Sequence, residues 1–404
     1  MSWLVPFSDL TNDQLRAVEA SPDIHRLIVG APGSGKTLAL LHRTAWLRKR
    51  YNVPDGRYRV LVFTNVLKQY IRTGCADLGI PLPAVTTCDG WCAEYFDNYI
   101  GGRRPWNSAK RTLDFEEIRA RVRADILAKR AICYEFVVVD EGQDLDGDVF
   151  EVLRTVARHV TVAADRKQQL YDHGASEEEI AHRLGLARRN VSLLGAFRCS
   201  PYIVPLGAAF ITDPAEAKVF REQTLTAVGQ RETPVLFVAI DFKEERRRLG
   251  EVARERMVMG ERVAILLPQS RQARGFHQAM YEFGLEAEVQ GRCETLNFAN
   301  LTPKLLTYHS AKGLTFDSVL LPRVVKSSFE RRTEDQVLRM MFVAVTRAAR
   351  WVYLSTVAGQ EPAFLSRLEP LAASGNLTIR GAGPSTGMPP PPAECTDGLD
   401  DLFA

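Results

Sequence analysis

The 404-residue sequence lacks the features that mark membrane and secreted proteins. Its longest apolar runs, such as Phe136–Val139 and Ala264–Leu267, have the length of a strand, whereas a membrane-spanning helix needs roughly 20 apolar residues. The N-terminus shows no basic region followed by an apolar core, so we expect no signal peptide. We therefore expect a soluble cytoplasmic protein without a membrane partner.

Cysteine usage and net charge exclude further classes of site. Seven cysteines are scattered without a CxxC pair, which argues against a disulfide framework and a zinc ribbon. Cys88 and Cys92 would lie one turn apart on a helix, but no second pair completes a four-ligand zinc site. The net charge of +3 is compatible with a nucleic-acid partner without indicating one.

Apolar strands that alternate with helical segments predict an α/β fold with two tandem domains, residues 1–196 and 197–380. Several predicted strands end on a polar residue, as at Asp140 and Asp165, which is typical of open parallel sheets that bind ligands at the carboxyl ends of their strands. The predicted strands are Leu27–Val29, Val60–Phe63, Glu135–Val139, Val160–Ala164 and Val191–Leu194, then Val235–Ala239, Val263–Leu267, Lys304–Thr307, Ser318–Leu321 and Trp351–Leu354.

The last 24 residues, 381–404, differ in composition from the rest of the chain. Their glycine, proline and serine content cannot bury a core, so we expect a flexible, disordered tail. Its end, Gly398–Ala404 (GLDDLFA), places two leucines and a phenylalanine among acidic residues. Two interpretations stay open: a short peptide that docks on a partner protein, and a solvated end.

A glycine-rich segment lies between the first predicted strand and a predicted helix, Lys36–Arg50. It matches the phosphate-binding pattern G-x-x-x-x-G-K-[ST] with the residues Gly30, Ala31, Pro32, Gly33, Ser34, Gly35, Lys36 and Thr37. Backbone N–H groups of such a loop surround the phosphates of a nucleotide. We expect Lys36 to reach the β- and γ-phosphates and the Thr37 hydroxyl to bind Mg²⁺. The predicted cofactors are therefore ATP and Mg²⁺.

Two acids follow the strand Glu135–Val139 and complete the predicted chemistry. Asp140 is expected to hold Mg²⁺ through its water shell, and Glu141 to orient and deprotonate the attacking water. A protein that only bound a nucleotide would not need the second carboxylate. The pair therefore favours hydrolysis.

The order of these and further motifs, from about Leu10 to Leu354, resembles superfamily 1 helicases of the UvrD/Rep/PcrA type. The resemblance implies two RecA-like domains with ATP hydrolysed at their interface, and 3′→5′ movement on single-stranded nucleic acid, with DNA favoured. The segments that carry it are LTNDQ at 10–14, FTN at 63–65, DEGQD at 140–144, ADRKQQLY at 164–171, FR at 197–198, YHSAKGLTFD at 308–317 and VAVTRA at 343–348.

The resemblance also implies roles for single residues. Towards the nucleotide it assigns adenine recognition to Gln14 and Phe197, γ-phosphate contacts to Gln143, Gln168, Arg198 and Arg347, and a nucleotide-coupling turn to Gly313. The residues that the resemblance predicts to contact the nucleic-acid strand are Phe63, Thr64, Asn65, Trp91, Tyr171, His173 and His309. Aromatic residues suit that role because they stack on bases without regard to sequence.

The sequence also departs from the family pattern. Thr315 stands where the family usually has a glutamate, Ala164 where it has a glycine, and His173 where it has a tryptophan. Asp89 brings a negative charge to a position where a histidine usually meets the strand. The segments that hold the accessory domains of the family are short here. The resemblance therefore predicts a minimal two-lobed motor, a translocase with weak unwinding.

Two other function classes remain as alternatives. An ATP-controlled switch subunit would bind nucleic acid within a larger complex, for example beside a nuclease in DNA repair or antiphage defence. It would show ATPase activity stimulated by nucleic acid without movement. A small-molecule kinase with the same phosphate loop is disfavoured, because it would not need Arg198 or Arg347.

Overall fold

The computed structural model describes residues 4–30, 33–109, 111–165, 174–187, 191–194, 200–223, 232–291 and 296–381. The chain divides into two compact units, Met1–Gly195 and Ala196–Ala404. The predicted boundary after residue 196 and the predicted disordered tail stay predictions, because residues 195–199 and 382–404 lie outside the described part of the chain.

The first unit is built on a parallel sheet of six strands. Its strands are β1 (Arg26–Gly30), β2 (Tyr58–Val62), β3 (Val85–Thr87), β6 (Tyr134–Val139), β7 (Ala157–Ala164) and β8 (Val191–Leu194), and a short antiparallel hairpin adds β4 (Trp106–Asn107) and β5 (Thr112–Leu113). The helices are α1 (Asn12–Glu19), α2 (Lys36–Arg50), α3 (Asn65–Cys75), α4 (Cys88–Tyr95), α5 (Phe115–Lys129), α6 (Gly147–Val156) and α7 (Glu177–Leu184). The strand order is β3-β2-β6-β7-β1-β8.

The centre of this sheet fixes the position of the candidate site. Strands β6 and β7 are buried along nearly their whole length, as expected for parallel strands covered on both faces. Because β1, β6 and β7 are parallel neighbours or near neighbours, their carboxyl ends lie at one edge of the sheet. Gly30, Asp140 and Asp165 end or follow these strands, so the fold brings three distant motifs together.

The second unit is built on a parallel sheet of seven strands in the order β11-β12-β10-β13-β14-β9-β15. The strands are β9 (Val235–Ala239), β10 (Val263–Leu267), β11 (Glu288–Val289), β12 (Lys304–Thr307), β13 (Phe316–Leu321), β14 (Ala348–Val357) and β15 (Thr378–Gly381). The helices are α8 (Ile203–Ala208), α9 (Pro214–Gln223), α10 (Phe242–Val258), α11 (Ser270–Glu282), α12 (Glu334–Val345) and α13 (Glu369–Ala373).

One buried arginine joins the first helices of the chain. Arg43 of α2 is fully buried, and its guanidinium donates hydrogen bonds to the carbonyl oxygens of Ala17, Val18 and Ala20 at distances of 2.8–3.1 Å. These carbonyls end α1 and would otherwise lack partners. Burial lowers the pKa of Arg43 to about 9. The contacts fix α1 against the helix that follows the phosphate loop.

The predicted α/β class with parallel sheets is confirmed, and all ten predicted strands are present. The predicted helix Lys36–Arg50 is α2. Five short strands, β3, β4, β5, β11 and β15, were not predicted. Gly381, where we expected the tail to begin, ends β15. Within the described residues, the helices are too short or too polar to span a bilayer.

Candidate active site

The glycine-rich segment joins the end of β1 to the start of α2. Gly33 and Gly35 have φ angles of +76° and +81°, a region that residues with a side chain rarely adopt. A Cβ atom at position 35 would also overlap the Gln14 amide. Backbone conformation and packing therefore both require glycine there. Ala31 and Pro32 lie outside the described residues.

The first two side chains of α2 contact carboxylates that follow neighbouring strands. Lys36 is 7% exposed, and its Nζ lies 3.2 Å from Oδ2 of Asp165, which is 3% exposed. The same Nζ donates to the carbonyl oxygen of Gly30 at 2.7 Å. The Thr37 hydroxyl donates to Oδ2 of Asp140 at 2.7 Å. The lysine and the hydroxyl predicted to bind phosphate and metal are thus held at the edge where β6 and β7 end.

The two acids after β6 have unusual electrostatic and backbone properties. Asp140 is 2% exposed, and burial followed by the neighbouring Glu141 raises the pKa of its carboxyl group. Its Oδ1 accepts the backbone N–H of Glu141 at 3.0 Å. Glu141 has a φ of +55°, which is uncommon outside glycine and is found where the surroundings enforce it. The turn directs two carboxylates into one buried site.

Gln143 closes these contacts into a ring. Its Nε2 donates to Oε2 of Glu141, and its Oε1 accepts the backbone N–H of Asp165 at 2.9 Å. Together with the Lys36–Asp165 ion pair and the Thr37–Asp140 hydrogen bond, these contacts form a closed ring that joins the phosphate loop to the ends of β6 and β7. Sequence reasoning missed Asp165 as the partner of Lys36, although its position after a parallel strand was a usable signal.

The donor atoms in this ring fit a magnesium ion. Thr37 and Asp140 offer a hydroxyl and a carboxylate oxygen, the ligands that Mg²⁺ prefers. Among the described residues no cluster of three or more histidine, cysteine, aspartate or glutamate side chains could hold a metal. Mg²⁺ in proteins typically keeps several water ligands and also binds the phosphates of the substrate. A site with only one carboxylate and one hydroxyl therefore fits Mg²⁺ better than it fits a metal whose ligands all come from the protein.

Gln14, predicted to read adenine, is engaged within the first unit. Its Oε1 accepts the backbone N–H of Thr11 at 3.0 Å, which is half of a capping box at the start of α1. Its Nε2 donates to the carbonyl oxygen of Ser34 in the phosphate loop at 3.0 Å. The amide therefore links α1 to the loop. Its role towards adenine stays a prediction.

The residues of the first unit that are predicted to contact the nucleic-acid strand divide into two groups. Phe63 is partly exposed and lines a groove with Arg119, Asp144 and Leu145. Thr64 and Asn65 follow it at the start of α3, where the Thr64 hydroxyl accepts the backbone N–H of Leu67 at 3.0 Å as an N-cap. Phe63 thus has an accessible face beside a groove, as a base-stacking residue requires.

Trp91 is placed differently, and its predicted base contact needs correction. The side chain is 2% exposed within the hydrophobic core of the first unit. Its Nε1 donates to the Tyr134 hydroxyl at 3.1 Å, and its ring lies beside that of Tyr95. At 2% exposure the Trp91 ring offers almost no surface to a base, because α4 packs this side chain against Tyr134 of β6 and against α5. Trp91 supports the fold.

In the second unit, His309 and Gly313 lie in the turn between β12 and β13. Burial, with Arg332 and Lys312 nearby, lowers the pKa of His309 to about 4, so its ring is neutral at pH 7. Gly313 has a φ of +76°, which explains glycine at this turn. Lys312 is buried. The turn is therefore a tightly packed part of this unit.

Arg347, predicted to contact the γ-phosphate, is buried within the second unit. Its Nε donates to the carbonyl oxygen of Val343 at 3.0 Å, and a terminal nitrogen lies 3.4 Å from that of Leu314. A phosphate contact would require Arg347 to exchange such bonds. Five other predicted site residues lie outside the described part of the chain: Gln168, Tyr171, His173, Phe197 and Arg198.

Comparison with known proteins supports this reading of the two units. The family model of an AAA domain matches residues 14–173, and that of the UvrD-like helicase C-terminal domain matches residues 304–355. The first match spans the ring of contacts, and the second contains the turn with His309. These two matches support a UvrD/Rep-like superfamily 1 helicase.

Individual relatives match over short segments. The chain is 43% identical over 53 residues to the RecBCD enzyme subunit RecB of Chlamydia pneumoniae, which is 13% of this chain and 5% of RecB. It is 40% identical over 57 residues to DNA helicase II of Haemophilus influenzae, 14% of this chain and 8% of that protein. The matched segments thus span less than a tenth of either curated relative.

Among solved structures, the C-terminal domain of a possible DNA helicase from Lactobacillus plantarum WCFS1 aligns with a TM-score of 0.35 at 15% identity. The alignment covers 45% of this chain and 97% of that domain.

One departure of the sequence from the UvrD/Rep-like pattern has a visible compensation. Asp89, at the position where the family usually has histidine, forms an ion pair with Arg119 of α5 at 2.5 Å. The arginine therefore neutralises the carboxylate in the groove beside Phe63. No local pattern indicates this pair, because 30 residues and the β4–β5 hairpin separate its members.

Proposed function

We propose that this protein hydrolyses ATP with Mg²⁺ and uses the energy to move 3′→5′ along single-stranded nucleic acid, with DNA favoured. The closed ring of contacts that joins Lys36 and Thr37 to Asp140, Glu141 and Asp165 carries this proposal. It assembles phosphate binding, metal binding and a candidate general base in one buried site.

Each side chain of the ring has a chemical task in this proposal. Lys36 leaves Asp165 and binds the β- and γ-phosphates, and Glu141 orients the attacking water and accepts its proton. Mg²⁺, held near Thr37 and Asp140, would neutralise charge on the phosphates. Gln143 touches both Glu141 and the backbone of Asp165, so it would transmit the state of the phosphate site to the base.

The strand would contact Phe63 in the first unit and His309 in the second. A neutral imidazole at His309 donates and accepts hydrogen bonds, which suits contact with bases or phosphates. Arg347 would exchange its present carbonyl contacts for contacts with the γ-phosphate. The affinity of the protein for the nucleic-acid strand would then depend on the bound nucleotide. We expect this minimal form to translocate on the nucleic-acid strand with weak duplex unwinding. We expect it to act in the cytoplasm and to need a protein partner for full activity.

Removal of streptavidin from biotinylated oligonucleotides tests movement and its direction. We expect ATP-dependent displacement from the 5′ end and little from the 3′ end, abolished by Glu141→Gln. ATP hydrolysis that is stimulated by the strand without displacement from either end would indicate a switch subunit instead. Processive separation of long duplexes by the isolated chain would contradict weak unwinding.

A further inference from the structure

A basic segment with an exposed aromatic residue connects α4 to α5 in the first unit. This hairpin segment, residues 101–113 (GGRRPWNSAKRTL), contains four basic residues and no acidic residue. It includes the β4–β5 hairpin, in which Trp106 lies opposite Leu113. Cations without neighbouring acids, combined with an aromatic side chain, are typical of surfaces that bind nucleic acid.

The Trp106 ring lies at the surface, unlike the ring of Trp91. Trp106 is 54% exposed, whereas Trp91 is 2% exposed. Directly opposite residues of an antiparallel pair lie on one face, so Trp106 shares a face of the hairpin with Leu113, which packs on the core of the unit. Within the described residues, no aromatic ring contacts Trp106 and no acceptor binds its indole N–H. The ring therefore keeps an open face for a ligand.

Two arginines of the hairpin segment lack the carboxylate partner that arginines of the next helix have. Arg103 and Arg111 are exposed, and neither forms an ion pair or a hydrogen bond with any described residue. On α5, by contrast, Arg119, Arg121 and Arg123 each pair with a carboxylate. Guanidinium groups bind phosphates through charge-assisted hydrogen bonds. Two unpaired guanidinium groups, one on each side of the tryptophan along the chain, therefore fit the backbone of a nucleic acid.

The hairpin segment lies close to the groove beside Phe63. Helix α5 runs from the hairpin towards the amino end of β6, so its N-terminal part lies at the carboxyl edge of the sheet, where Arg119 lines that groove. Four helical steps and two further residues separate Leu113 from Arg119, a distance of at most about 13 Å. Strands occupy roughly 4–16 nucleotides on such surfaces, so one strand can contact both Phe63 and Trp106.

We propose that the hairpin segment is a further contact for the nucleic-acid strand, with a base stacked on Trp106 and phosphates bound by Arg103 and Arg111. This contact rests on the proposed function, because it extends the surface on which the strand moves. Trp106 supplies the sequence-independent stacking that the sequence pattern assigned to Trp91.

Fluorescence anisotropy of a labelled single-stranded DNA of about twelve nucleotides, titrated with the full chain, tests the stacking. We expect Trp106→Ala to weaken binding by about fivefold to 100-fold, because one stacked base loses its partner. Trp106→Phe keeps an aromatic face and should weaken binding by less than about threefold. The matched control is Tyr99→Ala, which should leave binding unchanged. Tyr99 is as exposed as Trp106, but its carbonyl oxygen contacts Lys129 at the other end of α5.

The salt dependence of the affinity tests the two arginines. Each phosphate contact of a single strand contributes about 0.7 to the slope of log K against log salt concentration, so Arg103→Gln combined with Arg111→Gln should reduce the slope by about 1.4. Arg121→Gln removes an exposed arginine that pairs with Glu117 on α5, and it should leave the slope unchanged. Urea unfolding of each variant checks that the first unit stays folded.

Three results would overturn the hairpin contact while strand-stimulated ATP turnover leaves the proposed function intact. They are an unchanged affinity of Trp106→Ala, an equal loss of affinity in Tyr99→Ala, and an unchanged salt slope of the double arginine variant. Failure of the natural sequence to bind the strand at all would contradict the proposed function itself, and the hairpin contact with it.

Discussion

Asp165→Asn should destabilise the nucleotide-free protein far more than the nucleotide-bound protein. Lys36 and Asp165 are both nearly fully buried, and removing one partner of a buried ion pair costs about 3–5 kcal/mol because the other charge stays uncompensated. We therefore expect the free energy of unfolding of the first unit to fall by about 3–5 kcal/mol without nucleotide.

A bound nucleotide should reduce this loss, because its phosphates give Lys36 a new partner. If at least about 2 kcal/mol is recovered, linkage requires the variant to bind nucleotide roughly 30-fold more tightly than the natural sequence. Urea unfolding with and without a non-hydrolysable ATP analogue measures the recovered free energy of unfolding, and calorimetry measures the nucleotide affinity of the variant and of the natural sequence.

The matched control is Asp317→Asn, which breaks a partly buried ion pair with Arg262 in the second unit. Its effect on stability should be the same with and without the analogue. Equal destabilisation by Asp165→Asn in both conditions, with unchanged nucleotide affinity, would refute the exchange of Lys36 between Asp165 and phosphate.

Three further variants test separate parts of the structure. Arg43→Ala leaves three carbonyls at the end of α1 without partners and should lower the free energy of unfolding by about 3–5 kcal/mol; a loss below about 1 kcal/mol in urea would contradict this role. Trp91→Phe should cost about 1–2 kcal/mol of stability and leave the affinity for a labelled strand unchanged by anisotropy, whereas a tenfold weaker affinity would restore the stacking role. The pKa of His309 is about 4 in the folded state, below its value of about 6.5 in the unfolded state. As the pH falls from about 6.5 to 4, the unfolded state therefore binds more protons than the folded state, and the free energy of unfolding declines. His309→Gln should flatten this decline in urea unfolding, and identical pH profiles would contradict it.

The strand ends and the phosphate loop were predictable because local pattern determines them. The run Phe136–Val139 is apolar and is followed by Asp140, and the glycines at 33 and 35 meet a backbone requirement that only their own positions impose. Such features need no knowledge of distant residues.

Pairings across the chain were not predictable in the same way. Lys36 and Asp165 are 129 residues apart, and their contact depends on the order of strands in the sheet. Trp91 shows the complementary difficulty, because an aromatic residue on a short helix suits a core and a base-stacking surface equally. Its burial is decided by packing against Tyr134 of β6. The edge strand β15 has the sequence TIRG and is largely exposed, so it shows no apolar run by which it could be predicted.

The most direct test of the account is steady-state ATP turnover with Mg²⁺, measured with and without single-stranded DNA, single-stranded RNA and duplex. We expect turnover that one single-stranded polymer strongly stimulates and that Glu141→Gln abolishes while nucleotide binding persists. Turnover that ignores every nucleic acid, or that survives Glu141→Gln, would contradict the claim that this ring of contacts is the catalytic site of a nucleic-acid motor.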